Sequence, residues 1–103
     1  MVDGDTVWIG DHNIRFAIVD APEMRTPEGP VAKQYLVDLI ADRPLTCRVT
    51  SRDRYNRDVA ICSVDGVMID EALLRACQAR ILPRYMIAGE RARLEDAASM
   101  CRR

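Results

Sequence analysis

The chain has 103 residues, of which 49% are hydrophobic and 30% charged, and its formal net charge is -1. That is too apolar for a disordered chain and sufficient for one domain around one modest core. The near-neutral balance excludes binding to polyanions through overall charge, so any such contact must come from a local patch. No apolar run reaches the roughly 18 to 20 residues a membrane helix needs, and no membrane partner is expected.

In chain order, "TVWI" (6–9) and "IRFAIVD" (14–20) are β-rich and flank "GDHN", which predicts a hairpin with His12 in the turn. Pro22 ends the returning strand, and "MRTPEG" reads as an exposed loop. Pro30 suits a first helical turn, and Val31, Tyr35, Leu36, Leu39 and Ile40 follow at helical spacing, so a helix is expected over 30–41. "LTCRVTS" (45–51) and "DVAICSV" (58–64) form a second hairpin around "RDRYNR". Asp65-Gly66 is a turn into "VMI". Asp70 is a candidate N-cap for "EALLRACQA". A last amphipathic helix is expected over 86–100, with Ile87, Leu94, Ala98 and Cys101 on one stripe. This order fits a single α+β domain, spanning 1–103 and built on a small antiparallel barrel.

The chemistry concentrates in the first hairpin. Asp5 starts one strand and Asp20 ends the returning one, and antiparallel pairing brings those ends together. Two adjacent carboxylates repel unless they share a proton or a cation. A hard divalent cation with oxygen ligands answers this, with Ca²⁺ as the best candidate. Glu23, just beyond the Pro22 bend, is placed to orient or deprotonate a water. Arg15 and Arg57 add permanent charge that forks onto phosphate oxygens. The single histidine and the lack of a GxSxG turn argue against Ser/His/Asp chemistry. Four cysteines without a CxxC pair argue against structural zinc.

"DGDTV", "IRFAIVDAPE" and "DRYNR", in that order, resemble the staphylococcal nuclease (thermonuclease) family, with "EALLRACQA" matching its second helix. The resemblance implies an OB-type five-stranded barrel with three helices, and Ca²⁺-dependent hydrolysis of phosphodiesters in DNA or RNA, single-stranded or denatured substrates being favoured. It implies that Asp5 and Asp20 ligate the cation with help from the Ala21 carbonyl. Glu23 would be the general base or water orienter, and Arg15 and Arg57 would clamp the scissile phosphate. Tyr55 and Tyr85 would line the nucleotide site, unless they pack the hairpin and staple a helix; Arg54 adds to the basic–aromatic patch. The rival reading is a non-catalytic nucleic-acid-binding or protein-interaction module on the same fold. A monomer is expected.

Four departures from the family pattern matter. Only Met1 and Val2 precede "DGDT", so the family's first strand is expected to be missing or shortened. Asn56 replaces the usual Gly and is expected to keep a left-handed turn. Cys77 stands where a Gly often caps the second helix, at a cost of about 1 kcal/mol if left-handed. Gly89 replaces a Glu of the last helix. A symmetric second hairpin sets Cys47 opposite Cys62, either as a disulfide or as two buried thiols. Acidic residues from position 3 speak against a secretory signal in the sequence as given; an upstream leader would favour a secreted or periplasmic location, and its lack a cytoplasmic one.

Overall fold

Val7, Ile14 and Phe16 are the inward residues of the first hairpin, and all three are buried. In the computed structural model, which describes residues 3–101, they lie on β1 (Thr6–Ile9) and β2 (His12–Phe16), paired antiparallel with Ile9 opposite His12. The turn is therefore only Gly10–Asp11, and Gly10 takes φ 57°, a conformation open to glycine without steric cost. His12 opens β2 instead of sitting in the turn. The returning strand is also split: after Phe16 the chain leaves β2 and re-forms as β3 (Val19–Asp20).

The remaining elements are α1 (Glu28–Ile40), β4 (Leu45–Arg52), β5 (Asp58–Val64), β6 (Val67–Met68), α2 (Ile69–Arg75), β7 (Arg80–Ile81), a 3-10 turn (Pro83–Tyr85) and α3 (Arg91–Ser99). A five-stranded sheet runs β1-β2-β5-β4 with β6 on β5, and β3 pairs with β7 in a separate ribbon. The expected all-antiparallel barrel needs correction. β2 and β5 run parallel, with Arg15 opposite Val59, because the chain crosses over through α1 and β4 between them. Among the described residues the fold is α+β with three α-helices and mixed pairing, and no pairing joins β1 to β4. The expected absence of a first strand falls on Met1 and Val2, which lie outside the described residues.

Phe16, Ile18, Leu36, Ile69, Leu73 and Leu94 form the centre of the core, each 2% exposed or less. The last helix is shorter than its pattern predicts: Gly89 has φ 88°, so the chain cannot run helically from 86 and α3 starts at Arg91. Asp70 is not the N-cap of α2, a place taken by Met68. It is buried instead, and Arg93 of α3 forks onto it at 2.6 and 3.0 Å while also reaching Glu71 and Glu90. The Asp70 hydrogen bond, chiefly, holds the Arg93 pKa above its ordinary value against the cost of burial. Removing one partner of such a pair leaves a buried charge, at a cost of about 3 kcal/mol or more. Urea unfolding of Arg93→Met should show that loss, and adding Asp70→Leu should restore most of it; an unchanged single variant would refute the role.

Two disulfides brace the fold: Cys47–Cys62 across the β4–β5 register, and Cys77–Cys101 joining the residues after α2 to those after α3. The second pair is not anticipated by hairpin symmetry, because its partners come from different helices.

Candidate active site

The segment before β1 is shaped to carry a buried carboxylate. The Asp5 N–H donates to Asp3 Oδ1 at 3.1 Å, which closes a short turn. Gly4 lies against Ala21 and Ala32, and a Cβ there would come within 2.7 and 2.9 Å of their Cβ atoms. Only glycine lets the backbone approach this closely. Asp5 is thereby pressed into the protein, 5% exposed, where its Oδ2 accepts from the Ala21 N–H at 2.9 Å and its Oδ1 from Thr6 Oγ1 at 3.1 Å.

Arg15, on β2, ties the two expected carboxylates together. Its Nη2 lies 3.6 Å from Asp5 Oδ2 and 3.4 Å from Asp20 Oδ1. Its Nη1 donates to the backbone carbonyls of Phe16 and Val19, both at 2.6 Å, so the guanidinium is fixed where the strand breaks. Burial pushes the Asp5 carboxyl up to about 6, reinforced by the Asp3 hydrogen bond, although Arg15 and the Ala21 N–H pull it down.

Asp20 faces outward from this cluster. It lines a cavity of about 590 Å³ together with Ala21, Glu23, Glu28 and Arg80. Glu23 sits in a turn whose carbonyl accepts from the Thr26 N–H and hydroxyl, and a Cβ on the buried Gly29 would overlap that carbonyl. The Glu23 carboxylate is exposed and pairs with Arg25 at 2.6 Å. Glu23 thus shares the cavity with Asp20, but no described hydrogen bond or ion pair joins their side chains.

Arg57 precedes β5 by one residue, and Val59, two residues on, is the register partner of Arg15. Arg57 therefore follows the β4–β5 turn just before the segment that pairs with β2. Asp53 holds the Arg57 Nε at 2.7 Å and accepts from the backbone N–H groups of Tyr55 and Arg57. Burial alone would raise the Asp53 pKa; these hydrogen bonds outweigh it and lower it. Asn56 takes φ 62° in this turn. Tyr55 is 65% exposed, with Arg54 and Arg57 5.0 and 5.4 Å from its ring centre. Tyr85 is also exposed, on the 3-10 turn beside Arg84. The structure therefore joins Asp5, Arg15 and Asp20 directly, and leaves Arg57 and Tyr55 together on the β4–β5 turn and Tyr85 on the 3-10 turn.

The model of the family described as "Staphylococcal nuclease homologue" matches residues 13–102. The chain belongs to the staphylococcal nuclease family. Arg15, Asp20, Glu23 and Arg57 lie inside the matched span and Asp5 before it, so Asp5 stands on its geometry. Similar proteins include one from Oryza sativa subsp. japonica named "Probable staphylococcal-like nuclease CAN1", 35% identical over 72 residues, covering 70% of this chain and 22% of that protein. An Escherichia coli O157:H7 protein named "Uncharacterized endonuclease" is 29% identical over 90 residues, covering 82% of this chain and 59% of that protein. A third, from Capnoides sempervirens and named "Uncharacterized 38.1 kDa protein", is 34% identical over 64 residues. This family member thus spans between about a fifth and three fifths of the curated relatives it matches.

The donor set can be tested for the cation this family implies. Among the described residues no group of three or more His, Cys, Asp or Glu side chains converges. Asp5 and Asp20 offer hard carboxylate oxygens only. Their chemistry suits an oxygen-preferring ion better than zinc, whose structural sites are built from Cys and His, and Arg15 lies between the two carboxylates.

The signal for Arg80, Arg25 and Asp53 is weak in the sequence. Arg80 reaches Asp20 Oδ2 at 3.3 Å across the β3–β7 register, from 60 residues away. Two-residue strands carry no periodicity to read.

Proposed function

We propose that this domain is a nuclease that hydrolyses phosphodiesters in DNA or RNA, on an OB-type barrel, with Ca²⁺ bound by Asp5, Asp20 and the Ala21 carbonyl. The observation that carries the reading is the Asp5–Arg15–Asp20 cluster, whose Asp20 lines the same cavity as Glu23, in a chain of this family.

Glu23, freed from its exposed pairing with Arg25, takes a proton from the attacking water as the oxygen–phosphorus bond forms. Arg15 and Arg57 neutralise the charge that grows on the non-bridging oxygens. The ester P–O bond then breaks and the leaving oxygen takes a proton from solvent water, while Glu23 later returns its proton to solvent. When bound, the cation supplies a Lewis-acid hold on phosphate oxygen. Tyr55, flanked by Arg54 and Arg57, offers an exposed stacking face for an unpaired base. That face favours single-stranded or denatured substrate, and the domain is taken to act as a monomer. The two disulfides support an oxidising location, secreted or periplasmic.

Cleavage of denatured DNA, measured with Ca²⁺ and with chelator, tests this. Chelation should abolish turnover, and Glu23→Gln should lower it at least about 100-fold, in the range of general-base contributions. Full activity in either case would sink the mechanism. Binding without cleavage would instead favour a non-catalytic nucleic-acid-binding module.

A further inference from the structure

The wall of the site cavity poses an electrostatic problem. Its charged lining consists of Asp20, Glu23, Glu28 and Arg80, so among the described residues three groups would repel a phosphate backbone and one would attract it. Arg15 cannot serve the outer part of this wall, because its Nη1 is committed to the Phe16 and Val19 carbonyls and its Nη2 faces Asp5 and Asp20.

Arg80 is held differently. Its backbone is fixed: β7 pairs with β3 with Asp20 opposite Arg80 and Val19 opposite Ile81, and the Leu82 N–H donates to the Ile18 carbonyl at 2.7 Å. Three residues earlier, Cys77 is cross-linked to Cys101. Its side chain is loose by comparison. It is 76% exposed, and its Nε and Nη2 share one oxygen, Asp20 Oδ2, at 3.4 and 3.3 Å. Exposed pairs of this kind hold only weakly and are screened by salt. A phosphate offers the same fork two oxygens and a full charge.

We propose that Arg80 is a substrate-contacting residue that leaves Asp20 to bind a phosphate of the nucleic-acid strand, next to the one being cleaved. The inference rests on the nuclease reading. Asp20 is a shared partner: Arg80 covers its outer oxygen until substrate draws the guanidinium away. Loss of Arg80 therefore weakens substrate binding without weakening the cation site.

The test compares the parent protein with Arg80→Gln and Arg80→Lys. Steady-state cleavage of a single-stranded oligothymidine should show KM raised about tenfold in Arg80→Gln, with kcat within about twofold. In a Glu23→Gln background, fluorescence anisotropy with the same oligonucleotide should show the slope of log K against log salt reduced by about 0.7, the value for one phosphate contact on a single strand. Arg80→Lys should keep that slope. Calcium binding by calorimetry without nucleic acid should be unchanged or tighter in Arg80→Gln. An unchanged KM and salt slope in Arg80→Gln, with the parent cleaving normally, would overturn the inference alone. So would weaker calcium binding with an unchanged slope, the mark of a residue that merely orders Asp20. A parent protein that neither binds nor cleaves would overturn the nuclease reading and the inference with it.

Discussion

Asp5→Asn should abolish the proposed calcium-dependent cleavage and yet leave the chelated protein at least as stable as the parent at pH 7. Asp5 is 5% exposed, and burial is the main reason its carboxyl is pushed up to about 6 from the ordinary 3.8. Between those two values the folded protein binds more protons than the unfolded chain, so the Asp5 contribution to stability falls as pH rises from about 4 to about 6. Above about 6 the loss is complete. The difference corresponds to about 3 kcal/mol at most, at 1.36 kcal/mol per pH unit. Asparagine avoids this cost. Its amide oxygen can still accept from the Ala21 N–H, although it gives up the attraction to Arg15. Urea unfolding in chelator at pH 4, 5, 6 and 7 checks the result. The stability difference, variant minus parent, should rise across that range, while calorimetry should find no calcium binding to the variant. A variant that loses more than about 2 kcal/mol at pH 7, or a parent that gains on it from pH 4 to pH 6, would show that Arg15 outweighs burial at this position.

The same residues show why part of the site could be read from the sequence. The residue pattern reads Asp5 and Asp20 as the two ends of one hairpin, but the register sets Asp5 opposite Phe16 and puts Asp20 on the separate strand β3, so it is Arg15 that brings the two carboxylates together. Arg15 lies between them in the chain and is joined to both. The left-handed positions at Asn56 and Cys77 were visible as departures from glycine, and their φ values of 62° and 60° follow. Contacts that depend on distant segments were not visible. The parallel β2–β5 pairing needs a crossover that alternation does not encode. β7 is two residues long, so neither Arg80 nor its position opposite Asp20 has a pattern to announce it. The break of the last helix lay in a single glycine, Gly89, whose φ no amphipathic stripe reveals. Arg25 on Glu23 and Asp53 on Arg57 are choices made within turns, where several charged neighbours were available to each group.

Reduction of both disulfides should cost more stability than any single core change. Cys47–Cys62 closes a separation of 15 residues and Cys77–Cys101 one of 24. Loop-closure entropy assigns each about 3 kcal/mol. Together they approach the whole stability of a typical small domain, about 5 to 15 kcal/mol. Urea unfolding with and without a phosphine reductant should therefore show a large fall in midpoint, and equal midpoints would refute the contribution. The two bridges differ in one respect. Cys77 ends α2 in the left-handed region, where the Gln78 N–H reaches the Leu73 carbonyl at 2.8 Å and the Cys77 N–H reaches Leu74 at 3.1 Å. That is the helix-terminating arrangement in which glycine is preferred, and a side chain there costs about 1 kcal/mol or more. Cys77→Gly with Cys101→Ser should thus lose about 1 kcal/mol less than Cys77→Ser with Cys101→Ser, although both remove the same cross-link. A disulfide set where its own half-cystine disfavours the backbone stabilises only while it is oxidised. Under reducing conditions this segment is left with the cost and without the bridge, and the ribbon that sets Arg80 against Asp20 lies immediately downstream.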